Sequence, residues 1–351
     1  MGLREYIIRR LILLIPIMLG VVVLIFAVMQ FVPVTQRVSI YLRSTKELNP
    51  ENIRQAISAA GLDQPIWNQF YTWLTNMLHG NFGVSPYYQE LVLVGLMKRI
   101  PATFEIVLYS APLVILVGIW LGVEAAVQKD KPFDHLSRIF SILGTSLPSF
   151  FFGVVLLAIF VFQLRWTTPW RLTPSVDVMV QTAMSTIPPT WHSYTGLLTI
   201  DSILNLRVDV LVDALEHLVL PVLVLVFIQT AVMVRVTRSS MLEALGKTYI
   251  IAARAKGLTK NEVIYKHARR NALIPVVTIS GLLVGGMMTG LVITETVFIF
   301  PGIGNWAATA AQHFDVAVVT IYAMFSAVVF VLANLIVDVL YAYIDPRIRL
   351  G

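Results

Sequence analysis

The chain has 351 residues and a formal net charge of +6, from 26 Lys and Arg against 20 Asp and Glu. Apolar residues make up 57% and charged residues only 13%, where a soluble domain carries about 25% charged; this excludes an ordinary water-soluble domain and points to an all-α, membrane-embedded bundle. There is no cysteine, which excludes disulfides, thiolate metal sites and Cys nucleophiles, and no histidine pair stands at the HExxH spacing of a zinc hydrolase.

Arg4, Arg9 and Arg10 precede an apolar run from Leu11 to Val32. That run is longer than the apolar core of a secretory signal, and Pro33, Val34 and Thr35 follow it in place of a small-x-small cleavage site. It reads as an uncleaved first membrane helix. Further runs of spanning length give six predicted spans in a single domain over 1–351: 10–32, 102–127, 137–164, 211–234, 272–297 and 315–343. With the N-terminus inside, 17 of the 26 basic residues fall on the inner side, nine of them between Arg235 and Arg270. The positive-inside rule then puts both termini in the cytoplasm of a multi-pass protein of the cell membrane. It also accounts for the basic character without nucleic acid.

The outer segment 33–101 is sizeable. Ile53, Ala56, Ile57 and Ala60 recur at helical spacing, with Gly61 as a stop. The run Ile66 to Leu78, rich in Trp and Tyr, suits a helix at the outer membrane surface. The second outer segment, 165–210, holds Pro169, Pro174, Pro188 and Pro189 with Trp166, Trp170 and Trp191. It reads as a large irregular loop.

Between spans four and five lies the basic segment 235–271. It parses as two short helices, one from about Met241 to Lys256, ended by Gly257, and one opened by Thr259 with Glu262 as its capping-box partner. Small residues around the turn let a partner surface approach closely. A solvated loop held by anionic lipid is the alternative. Gly246–Thr248 spells GKT, but Met241 stands where a phosphate-binding loop needs Gly, and a membrane helix precedes it; no ATP site is expected.

The Gly-xxx-Gly spacings at Gly118/Gly122, Gly281/Gly285 and Gly286/Gly290 fit close helix packing, within the chain or to another subunit. The acidic residues near spans, Glu105, Glu124, Glu216, Glu295 and Asp338, lie mostly near helix ends, which argues against a proton relay. After Glu295 comes an apolar turn, Phe298–Gly304. Its Phe298, Pro301, Gly302 and Gly304 are the candidate gate, with a plain structural turn as the alternative.

The stretches ARAKGL at 253–258 and HARRNALIP at 267–275 resemble the cytoplasmic signature loop of ABC-importer permeases of the dipeptide/oligopeptide/nickel group. GLDQP at 61–65, HGNFGVS at 79–85, RIPATFE at 99–105, SLPSF at 146–150, TETVFIFPGIG at 294–304 and DPRIR at 345–349 extend the resemblance along nearly the whole chain. Ile251 stands where the wider importer signature has Glu, followed by Ala252, Ala253 and Gly257, as in the peptide-group variant. The resemblance implies a non-enzymatic transport subunit that moves di- or oligopeptides inward. Its implied partners are a similar second permease, two cytoplasmic ATPases that hold ATP and Mg, an extracytoplasmic solute-binding protein, and membrane lipid. It further implies that Ala253, Arg254, Ala255, Lys256, Gly257 and Leu258 form the ATPase-coupling interface. No cofactor or metal is expected in this chain. Oligosaccharide or nickel import on the same architecture is the first alternative; a stand-alone secondary transporter or channel is a second, and a membrane scaffold a third.

Overall fold

The computed structural model describes residues 3–42 and 50–344; the DPRIR stretch at 345–349 lies outside them, as does the side chain of Ile53. Among the described residues five helices are long and apolar enough to cross a membrane, and a bent pair makes a sixth crossing if counted as one. The bundle is all-α apart from a small hairpin that pairs Val84 with Leu91 and Ser85 with Glu90.

The fourth span, Val208–Leu245, is the axis of the bundle. In its most apolar window 61% of residues are buried, against 11% in the first span, Leu3–Met29, which lies at the edge. The second span, Val92–Val127, packs along the fourth with its backbone in close approach. Side chains of Met233 and Thr237 occupy the space that a Cβ on Gly118 or Gly122 would need. Gly281 and Gly285 do the same for Val337 and Ala333 of the last span, Val316–Ile344. Both spacings therefore close contacts within the chain.

Five segments differ from the sequence expectation, among them the second span, which starts at Val92 and not at 102. The run 137–164 is two helices, Pro132–Ser146 and Ser149–Gln163, bent by 99°. Pro148 is the cause, since it cannot continue a helix and drives Leu147 into extended backbone (ψ 125°). The fourth span runs on to Leu245, past the apolar run that ends at 234. Met241, predicted to start a short helix, is thus a fully buried part of that span. The fifth span occupies Glu262–Met288 and not 272–297; Gly290, at φ +115°, marks its end, and Val292–Val297 form a separate short helix. Finally, 165–210 is not irregular. Pro174–Ser185 and Leu198–Leu204 are helices, and with the start of the fourth span they enclose Trp191, Leu172 and Val180 in a small core of their own. Trp166 and Trp170 remain exposed.

In the other long segment, Gly61 (φ +67°) ends the helix Pro50–Ala59 as expected. The helix Ile66–Leu78 buries Trp73 against Phe26 of the first span, ring centroids 5.5 Å apart, and leaves Trp67 and Tyr71 exposed. Nearby, burial pushes the Tyr41 phenol up to about 12, against the opposing pull of Arg37. The bundle thus has a basic end, with the turns at 128–131 and 246–261, and a loop-rich end built from 30–42, 50–91, 164–207 and 289–315.

Candidate functional site

At the basic end the chain leaves the fourth span at Gly246 and forms the helix Thr248–Ala255. Two bonds close it. The Gly257 N–H donates to the Arg254 carbonyl (3.0 Å) and the Leu258 N–H to the Ala253 carbonyl (3.4 Å), with Gly257 at φ +78°. This is the left-handed stop that only glycine takes without strain. Two residues later the capping box forms: the Glu262 carboxylate accepts from the Thr259 N–H at 2.9 Å, and the Glu262 N–H donates to the Thr259 hydroxyl at 3.3 Å. The second arm then continues into the fifth span without a break at 271.

Ile250, Ala253, Val263, Ile264 and Ala268 seat this elbow on Met241, Val123 and Ala126. Of the six residues implied as an interface, Ala253 is buried and Leu258 half-buried in that contact; they hold the elbow to the bundle. Arg254, Ala255, Lys256 and Gly257 are exposed, and so is Ile251. The side chains of Arg254 and Lys256 make no hydrogen bond or ion pair among the described residues. Beneath the elbow, Arg238 grips the fully buried Asp134 with two bonds of 2.5 and 2.9 Å, tying the turn after the second span to the fourth. The exposed Lys247 is raised by its hydrogen bond to Glu243, 2.8 Å away.

At the loop-rich end one short piece of the second span, RIPATFE, joins three segments. Arg99 pairs with Glu90 of the hairpin (2.6 Å) and lies over the rings of Tyr88 and Trp306. Burial raises the Tyr88 phenol, partly offset by a hydrogen bond with Thr309 and by Arg99. Thr103 donates to Glu295 (2.6 Å) and accepts from the Ile303 N–H (2.9 Å). Glu105, 1% exposed, accepts from Arg171 (2.6 Å) and from both the N–H and the hydroxyl of Thr199, each at 2.8 Å.

The candidate gate is held by this hub. Glu295 also accepts from the Asn305 N–H at 2.8 Å. A Cβ on Gly302 would strike its carboxylate, and one on Gly304 would meet the Val292 nitrogen at 2.7 Å. Phe298, Gly302 and Gly304 are buried, with Phe298 against Leu220 and Val224, while Pro301 is exposed. Beside it Asp315 opens the last span, accepting from Ser85 (2.5 Å) and the Val318 N–H (3.2 Å). In the sequence Glu105 and Glu295 are simply acids near helix ends. The signal available was two acids in otherwise apolar, spanning runs, which demand partners when buried.

The bundle thus carries an exposed, doubly capped basic elbow at one end and a buried polar clamp at the other. Residues 114–350 match the family described as binding-protein-dependent transport system inner membrane component, and residues 3–107 match the N-terminal region described for such membrane components. The dipeptide transport system permease protein of Escherichia coli K12 is 37% identical over 348 residues, covering 98% of each chain. The di/tripeptide permease protein of Pseudomonas aeruginosa UCBPP-PA14 is 37% identical, again over 98% of each. The oligopeptide permease protein of Bacillus subtilis 168 is 34% identical over 98% of this chain and 99% of its own. The chain belongs to the family of membrane-spanning permease components of binding-protein-dependent ABC transport systems.

Proposed function

We propose that the chain is the permease subunit of an ATP-driven importer that takes di- or oligopeptides from a solute-binding protein and passes them into the cytoplasm. The observation that carries this reading is the elbow: an exposed helix, rigidly stopped and capped, with two unpaired cations, on a chain similar over its whole length to peptide permeases. The charge count supports a cytoplasmic position for that end and for both termini. There the elbow docks in a groove on an ATPase subunit, Arg254 and Lys256 donating charge-assisted hydrogen bonds and Ile251, Ala255 and Gly257 forming the close surface. Two ATPases and a second, similar permease complete the machine. ATP and Mg reside in the ATPases, and this chain hydrolyses nothing by itself. The loop-rich end faces the binding protein.

Reconstitution in liposomes tests the reading. The full assembly takes up a labelled dipeptide only with ATP and the binding protein, and this chain alone shows no ATP hydrolysis. Uptake by this chain without ATPases identifies a solitary transporter instead. Uptake of nickel or an oligosaccharide in place of peptide overturns the substrate.

A further inference from the structure

The fifth span stops at Met288 and the third breaks at Leu147–Pro148. Both interruptions meet the fourth span near the middle of its 38 residues. Gly144, just before one break, lies against Ala231 and the Phe227 carbonyl. Ser149, Gly286 and Gly290 line a cleft of about 340 Å³ with Leu225 and Gln229 of the fourth span and Thr294 of the short helix Val292–Val297. Non-helical backbone at membrane depth is tolerated only where it is buried in protein or lines a watered cavity, and this volume falls within the range of ligand pockets, about 300–1,000 Å³. The polar side chains in the cleft are not committed elsewhere. The Gln229 carboxamide and the Ser149 and Thr294 hydroxyls make no hydrogen bond among the described residues, and Gln229 is half-buried. Gly286 meets nothing within 4 Å where a Cβ would stand.

We propose that this cleft is a transit site in which Gln229, with Ser149 and Thr294, hydrogen-bonds the backbone amide of the passing peptide. A carboxamide offers one acceptor and two donors, the complement of a peptide bond's N–H and carbonyl. No Asp, Glu, Lys, Arg or His lines the cleft. The charged termini of a peptide therefore meet no counter-charge that would trap them, and a metal cation finds no carboxylate or imidazole. The site reads the one group common to all peptides and leaves side-chain choice to other components.

This rests on the peptide-import reading, and two measurements separate the two. The chain has no cysteine, so Gln229→Cys introduces its one thiol. In the reconstituted complex a small hydrophilic thiol reagent labels Gln229→Cys and leaves Leu116→Cys, on an exposed apolar face of the second span, unlabelled; labelling is read by the mass of this chain. Equal resistance of the two thiols overturns the cleft, whatever the substrate. The second measurement compares ATP-driven uptake of alanyl-alanine with its ester analogue alanyl-lactate, using one binding protein for all complexes. Gln229→Leu shifts the amide-to-ester ratio towards the ester by about tenfold, the weight of one hydrogen bond, while binding-protein-stimulated ATP hydrolysis persists. A ratio unchanged from the wild type overturns the assignment. Ser149→Ala carries the same comparison if Gln229→Leu does not assemble. A wild-type complex that takes up neither compound defeats the peptide-import reading and this ligand with it, whereas the thiol result still decides whether the cleft is watered.

Discussion

The bonds that shape the exposed elbow reach across three to five residues: Gly257 to Arg254, Leu258 to Ala253, Thr259 to Glu262. Those that shape the clamp at the other end reach much further. Arg171 and Glu105 are 66 residues apart, Thr199 and Glu105 94, Glu295 and Thr103 192, and Ile303 and Thr103 200. The contrast has a physical consequence. A locally stopped and capped helix keeps its form when the elements around it shift, and so it is suited to being moved as a piece. A clamp of buried, charge-assisted bonds exists only when three distant segments are in place together, and each partner left alone is costly.

The sharpest way to break this contrast is Glu105→Ala, which strands Arg171 and two donors of Thr199 and is expected to cost about 3–5 kcal/mol. Thermal unfolding of the purified protein in detergent measures it, and a loss no greater than that from removing the elbow's cap would erase the distinction. Next comes Gly302→Ala, whose methyl overlaps the Glu295 carboxylate; the expected loss is about 1–3 kcal/mol by the same measurement. Gly257→Ala meets open space, so its cost is the positive φ alone, about 1–2 kcal/mol. A larger loss would mean that the elbow is packed more tightly than its exposure says. Thr259→Ala removes one half of the capping box, about 1 kcal/mol. Arg254→Glu should leave unfolding within about 0.5 kcal/mol of the parent yet abolish ATP-coupled uptake. Normal uptake with the reversed charge would remove Arg254 from the docking surface.

The same contrast explains what the sequence made legible. Gly257 and the Thr259–Glu262 pair were readable because both partners of each bond sit within a few residues. The spans were readable as apolar runs, but hydropathy senses the membrane and not the helix. Hydropathy therefore does not reach the C-terminal end of the fourth span, with Arg235, Arg238 and Glu243, although Met241 and Ala244 keep the buried helical face going. Pro148 carried a usable signal for the break in the third span, as did Gly290 for the end of the fifth; both were overridden by continuous apolarity. The clamp was out of reach. Nothing near Glu105 in the chain announces Arg171 or Thr199, and only the folded bundle brings them together.

The fourth span touches both ends, and at 1.5 Å per residue its 38 residues make a strut about 57 Å long. Gly118 and Gly122 let the second span lie against it in close approach. A tilt of about 10° about the midpoint carries each end sideways by about 5 Å, in opposite directions. A strut that tilted as one piece would carry a movement of the elbow to the clamp as displacement, with no chain of residue-by-residue rearrangements between them. The midpoint of that strut lies near Gln229, where the cleft opens.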